Sequence, residues 1–262
     1  MRRDDLVFDV GMHRGEDTEH YLARGFRVVA IEANPVLVRA ARERFAAAVE
    51  TGLLTIVGAA VAAEPGTVEL AVSEESTIWS SLDADFIARN RELGRTTYRR
   101  VEVPAVRFAD VLAEHGVPYY LKIDIEGRDM LCVRALHLMS ERPKYVSIES
   151  AVTTPGSGME AVFDQLAELW TLGYRGFTLI DQNRHGAAFP VDSSGPFGEE
   201  TRGHWAPIGP ALARAAVVRV SFDVGGFGGR WGRTLLGRAY AGIRRHVFRR
   251  PLSWYDLHAK LG

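Results

Sequence analysis

The segment Lys122-Ile123-Asp124-Ile125-Glu126-Gly127 carries three ionisable side chains at alternate positions. On a strand, that alternation turns Lys122, Asp124 and Glu126 to one side and Ile123 and Ile125 to the other. Ionised groups do not sit unpaired inside a parallel sheet. The three residues therefore either emerge at the carboxyl edge, where open α/β sheets take their ligands, or form an internal lysine–carboxylate pair that closes the strand end. A second run, Ser147-Ile148-Glu149-Ser150, brings Glu149 to the same edge.

Near the start of the chain, Asp9-Val10-Gly11-Met12-His13-Arg14-Gly15 follows a short apolar run and opens a helical pattern. Gly11 permits a sharp turn and close backbone approach to a ligand, and Gly15 permits the same at the helix N-terminus. A dinucleotide site calls for the G-x-G-x-x-G spacing that admits a pyrophosphate. Here the glycines are four positions apart, and Asp9 would repel a phosphate. An acidic residue at that place suits a cationic ligand, such as the aminoacyl and sulfonium part of S-adenosylmethionine. Glu32 lies 21 positions after Gly11, at the end of the next β-branched run. A carboxylate there can accept hydrogen bonds from ribose hydroxyls.

These residues need a frame that brings strand ends together. Leu6–Val10, Arg27–Ile31, Leu53–Val57, Tyr119–Ile125, Lys144–Ile148 and Tyr174–Ile180 read as buried strands. Glu16–Arg24, Val36–Val49, Phe108–His115, Arg128–Leu138 and Met159–Leu172 read as helices, with Asn34 capping a helix that starts at Pro35. Alternation with short connections means βαβ units. The fold class is α/β, a doubly wound, mainly parallel Rossmann-like sheet. Val68–Val72 reads as a strand of a hairpin-like excursion, residues 73–100 as a polar loop with one short helix, and residues 184–210 as a long loop over a ligand.

The whole chain has 262 residues, 47% hydrophobic and 25% charged, with a net charge of -1. Those figures exclude a disordered tail and a uniformly basic nucleic-acid binder. One cysteine, Cys132, excludes an internal disulfide and a thiolate zinc cluster; it is expected to be an inert buried thiol. Neither a signal peptide nor a membrane span is apparent, so a cytoplasmic location is expected. The charge is uneven. Residues 225–262 hold 8 Lys+Arg against 1 Asp+Glu, a net +7, which leaves 24 against 32, or -8, for residues 1–224. The organisation expected is a catalytic domain over 1–224 and a basic helical extension over 225–262. The extension either packs its apolar face on the domain or on a second subunit, or rests on an anionic membrane.

Asp9-Val10-Gly11, Ile31-Glu32-Ala33-Asn34-Pro35, Leu121-Lys122-Ile123-Asp124-Ile125-Glu126-Gly127 and Ile148-Glu149, in this order from about residue 5 to residue 181, resemble the FkbM family of S-adenosylmethionine-dependent methyltransferases. The chain departs from the family pattern at His13-Arg14 and at Gly58-Ala59-Ala60-Val61. The resemblance implies a class I methyltransferase fold and S-adenosylmethionine as cofactor. It implies cofactor contacts by Asp9, Gly11, Met12, His13, Gly15, Glu32, Ala33, Ala60 and Asp124. The implied reaction is methyl transfer, more often to oxygen than to nitrogen, on a hydroxyl of a sugar, glycoside or related natural product. Asp124 then becomes the first candidate for base or acceptor-positioning group, with Glu126 and Glu149 behind it. Lys122 would hold a carboxylate ionised or stabilise a developing alkoxide. No metal ligand is assigned, although Asp124, Glu126 and Glu149 have the oxygen donors that Mg²⁺ or Ca²⁺ prefer.

His13, His185 and His204 could each reach an acceptor but read more simply as solvated residues. Trp79, within a hydroxyl-rich segment, could wall the cofactor or cap the core. Two other readings stand beside methyl transfer: an NAD-dependent oxidoreductase or epimerase, and a catalytically silent nucleoside-binding, membrane-docking module.

Overall fold

The computed structural model describes residues 2–73, 80–84, 87–88, 91, 97–154, 157–182, 194–201, 205–225 and 254–262. The chain divides into two compact units, Met1–Ile148 with Phe189–Gly198, and Glu149–Ala188 with Glu199–Gly262. This division departs from the expected boundary at residue 224. The chain leaves the first unit after Ile148 and returns to it over Phe189–Gly198.

The first unit is built on parallel strands. β1 (Arg2–Val10), β2 (Arg27–Ile31) and β3 (Leu54–Val57) are separated by helices α1 (Glu16–Ala23), α2 (Pro35–Arg44) and α3 (Ala46–Glu50). β4 (Ala60–Val61), β5 (Gly66–Ser73) and β6 (Tyr98–Val106) form a small separate sheet in the order β4-β6-β5. Then come α4 (Phe108–His115), β7 (Val117–Ile123), α5 (Asp129–Ala135) and β8 (Tyr145–Glu149). In the large sheet the order runs β3-β2-β1-β7-β8, every pairing parallel. Strands after β1 step outward in one direction and those after β7 in the other. The order thus reverses between β1 and β7, and the crevice at that switch point is where doubly wound sheets bind ligands. Val7, Phe8, Val10, Leu121, Ile123, Val146 and Ile148 are fully buried, as strands covered on both faces must be.

Local chemistry sets the helix starts. The Asn34 side chain accepts a hydrogen bond from the Val36 amide at 3.0 Å, and Pro35 takes the first helical position. The helix expected over Val36–Val49 is interrupted at Phe45, so α2 and α3 are separate. β6 was not anticipated. Its outward Arg99, Arg100 and Glu102 disguise the alternation, and it carries Pro104, a residue normally confined to edges and bulges. It pairs antiparallel with β5, so the excursion is hairpin-like as expected.

The second unit contains α6 (Met159–Thr171), β9 (Tyr174–Asp181), α7 (Ile208–Gly225) and β10 (Tyr255–Leu261). β9 and β10 are antiparallel, with Thr178 opposite His258 and Leu179 opposite Leu257. The end of the chain, expected in a helical extension, is therefore a strand. Its Leu257 and Ala259 are buried, and the pattern Leu257, Ala259, Leu261 has the period of two that a strand requires. The rest of the expected basic helix, 226–253, lies outside the described residues, as do Trp79, His185 and His204. Among the described residues, no helix is long and apolar enough to cross a membrane.

Candidate functional site

Parallel register puts Asp9 of β1 beside Lys122 of β7. Both are buried, at 0% and 5% exposure. Lys122 Nζ lies 3.3 Å from Asp9 Oδ1 and 3.7 Å from an oxygen of each of Asp17 and Asp124, and it donates to the Gly11 carbonyl at 2.9 Å. The other Asp9 oxygen accepts from Thr18 Oγ1 at 2.6 Å. Burial alone would push the Lys122 ammonium down; Asp9, then Asp124 and Asp17, outweigh it and hold the ammonium well above its usual range. The lysine is thus a permanent cation shared among three carboxylates. Burial raises Asp17 to about 6, with Lys122 opposing and Asp9 adding to the rise.

This arrangement corrects two expectations. Lys122 does not emerge at the edge with Asp124 and Glu126. It forms the internal ion pair that was the other reading of the block, so it has no open face from which to stabilise an alkoxide. Asp9, being fully buried, does not present its carboxylate to a ligand; its charge acts through Lys122. Asp124 is different. It follows the last residue of β7, its side chain is 39% exposed, and its amide donates to the Val10 carbonyl at 2.8 Å.

The turn after β1 is fixed from both sides. The amides of Gly11 and Met12 both donate to the Ile31 carbonyl, at 2.9 and 3.1 Å. Gly11 has a φ of 86°, and a Cβ on it would lie 1.9 Å from the Asp124 carbonyl oxygen. The close approach that requires glycine is therefore to the exit of β7. Gly15, φ 88°, meets the Phe45 ring in the same way, with a Cβ position only 2.5 Å from a ring carbon. Two residues without that freedom also adopt left-handed backbone here, His13 at 52° and Glu126 at 49°. Such strain clusters at functional turns.

Glu32, just past β2, has one carboxylate oxygen accepting the His13 amide at 3.0 Å and the other accepting the Asn34 amide at 2.7 Å. Burial pushes its pKa up to about 7, against the lowering effect of the Asn34 and His13 amides. The His13 ring, held down chiefly by burial with Glu16 opposing, is neutral near pH 7.

The remaining positions divide. Met12 and Ala60 are 2% exposed. Ala60 packs with Leu70, Val72 and Val103, and Ala33 lies against that cluster. The loop bearing Glu126 is clasped from below: Ser81 Oγ donates to the Glu126 carbonyl at 2.7 Å, and the Ile125 amide donates to Asp129 at 2.9 Å. Glu149 belongs to the second unit, where its carbonyl accepts from Gln165 Nε2 at 2.8 Å. Cys132 is buried, and burial pushes its thiol well up, as fits an inert side chain. Among the described residues no group of three or more His, Cys, Asp or Glu is placed to hold a metal ion. Asp17 and Thr18 lie outside the residues expected at the site.

Residues 9–175 match the family model described as the methyltransferase FkbM domain. No curated protein matches the chain. Among solved structures, the precorrin-6y C5,15-methyltransferase of Geobacter metallireducens is 10% identical, with 100% of this chain and 82% of that one covered and a TM-score of 0.42. The O-methyltransferase TomG of Streptomyces achromogenes, involved in tomaymycin synthesis and solved with S-adenosylmethionine, is 12% identical over 98% and 74%, with a TM-score of 0.40. A methyltransferase of Geobacter sulfurreducens solved with S-adenosylhomocysteine is 10% identical over 100% and 86%, with a TM-score of 0.38.

Proposed function

Because this chain belongs to the FkbM family of methyltransferases, with S-adenosylmethionine as the cofactor that membership implies, we propose that it methylates a hydroxyl of a sugar, glycoside or related natural product. The observation that carries the cofactor's place is Glu32. Two backbone amides fix its carboxylate at the end of β2, and each oxygen keeps a lone pair for a vicinal diol. The sulfonium donor supplies a methyl carbon already activated for displacement, so the protein's work is positioning and proton removal. Asp124, partly exposed at the switch point, takes the proton of the acceptor hydroxyl or orients that hydroxyl. Lys122 Nζ, 3.7 Å away, pairs with the Asp124 carboxylate and orients it. Glu126 remains a secondary candidate for acceptor contacts.

The test is calorimetry with S-adenosylhomocysteine and with NAD, followed by transfer of labelled methyl to a panel of hydroxylated and amino acceptors. Binding of the first ligand and label on a hydroxyl are expected. Affinity for NAD alone would remove the cofactor assignment, and label confined to amines would remove the acceptor class. Asp124→Asn is expected to reduce kcat by about 10²-fold or more, with KM for the donor changed little.

A further inference from the structure

Residues 194–198, Ser-Gly-Pro-Phe-Gly, are the piece of the long loop that returns to the first unit. The Ser194 amide donates to Asp17 Oδ1 at 2.8 Å and its hydroxyl to Asp17 Oδ2 at 2.7 Å, a two-point grip across 177 positions of sequence. Both partners are buried, at 8% and 7% exposure. Three residues on, the Phe197 ring stands 4.9 Å from both Tyr21 of α1 and Tyr120 of β7. The segment therefore fastens to α1, the helix that follows β1, and to β7, one of the two strands at the switch point.

Apolar anchorage through Phe197 would not by itself call for a buried carboxylate, which costs free energy unless it is paired and hydrogen-bonded. Asp17 has such partners, and they connect. The oxygen that accepts the Ser194 hydroxyl is also the one 3.7 Å from Lys122 Nζ, and Lys122 in turn donates to the Gly11 carbonyl. Weakening the grip leaves Asp17 more dependent on Lys122, which draws the ammonium away from Gly11 and Asp124. We propose that Ser194 is a positioning residue for cofactor binding, acting through Asp17 and Lys122 on the turn that carries Gly11. This inference rests on the cofactor reading above and extends it to a distant segment.

The test uses the full chain. Ser194→Ala keeps the amide bond and removes the hydroxyl; its affinity for S-adenosylhomocysteine is expected to fall about fivefold, with Ser194→Thr restoring it. Coupling between sites is reciprocal. In the wild type, S-adenosylhomocysteine should therefore slow hydrogen exchange at the Ser194 amide by a similar factor, a response that a merely structural contact would not give. Exchange at Ser194 indifferent to a bound ligand, or full affinity in Ser194→Ala, overturns the proposal. A wild-type chain that binds no S-adenosylhomocysteine removes the cofactor reading itself, and that outcome is separate from loss of coupling.

Discussion

Asp9 and Glu32 stand at the carboxyl ends of neighbouring parallel strands, yet their surroundings differ in kind. Asp9 is sealed, with a lysine on one oxygen and a threonine hydroxyl on the other. Glu32 is held by two backbone amides and pushed up to about 7. A carboxylate whose charge is already matched inside the protein maintains the frame. One that backbone amides orient at a strand end can still accept hydrogen bonds from a ligand. Removing a partner near Asp9 should therefore be read in stability, and altering Glu32 should be read in binding.

The largest effect is expected from Lys122→Met. It leaves Asp9 and Asp17 buried without their cation, and breaking a buried pair from one side costs about 3–5 kcal/mol. Chemical denaturation would show it, and a loss within 1 kcal/mol, roughly a surface-pair value, would mean that the cluster is wetter than its geometry indicates. The next effect concerns Glu32 and pH. Its folded pKa, about 7, lies above the carboxyl's ordinary value of 4.5, so the folded state holds the proton more tightly. The stabilisation is complete below the lower value and is lost as pH rises through the higher one, up to about 3 kcal/mol. Glu32→Gln cannot ionise, so melting temperatures from pH 5 to 8 should shift in favour of the variant over the ligand-free wild type. A constant difference would contradict the burial of that carboxylate. The smallest effect is Thr18→Val, which strips Asp9 of its hydroxyl donor and should cost about 1–3 kcal/mol. Cofactor affinity, measured where the variant is fully folded, should stay within about twofold; a larger loss would blur the contrast between the two carboxylates.

Much of the frame is legible in the sequence. The apolar runs at Leu6, Arg27 and Tyr119 marked parallel strands because buried strands need no polar face, and Asn34-Pro35 announced a helix start through capping chemistry. Asp9, Glu32 and Asp124 read from the sequence as strand-end groups, and the strands end at or next to them. Their division into sealed and available was not legible, since it depends on the register that sets Asp9 against Lys122. Asp17 escaped notice because an acidic residue in a first helical turn is ordinarily explained by the helix dipole. Ser194 escaped because a contact across 177 positions leaves no local pattern. β10 had a readable alternation, but it was masked by the arginine-rich helical periodicity just before it.

The most direct measurement is calorimetric binding of S-adenosylhomocysteine to the wild type and to Glu32→Gln between pH 5.5 and 8.5. If ribose hydroxyls donate to the Glu32 carboxylate, wild-type affinity rises as pH passes through about 7 and then levels off. The glutamine variant binds at least about tenfold more weakly at pH 8 and shows no such rise. Equal affinity in the two proteins, or a wild-type affinity that is flat across this range, would contradict the placement of the cofactor at Glu32.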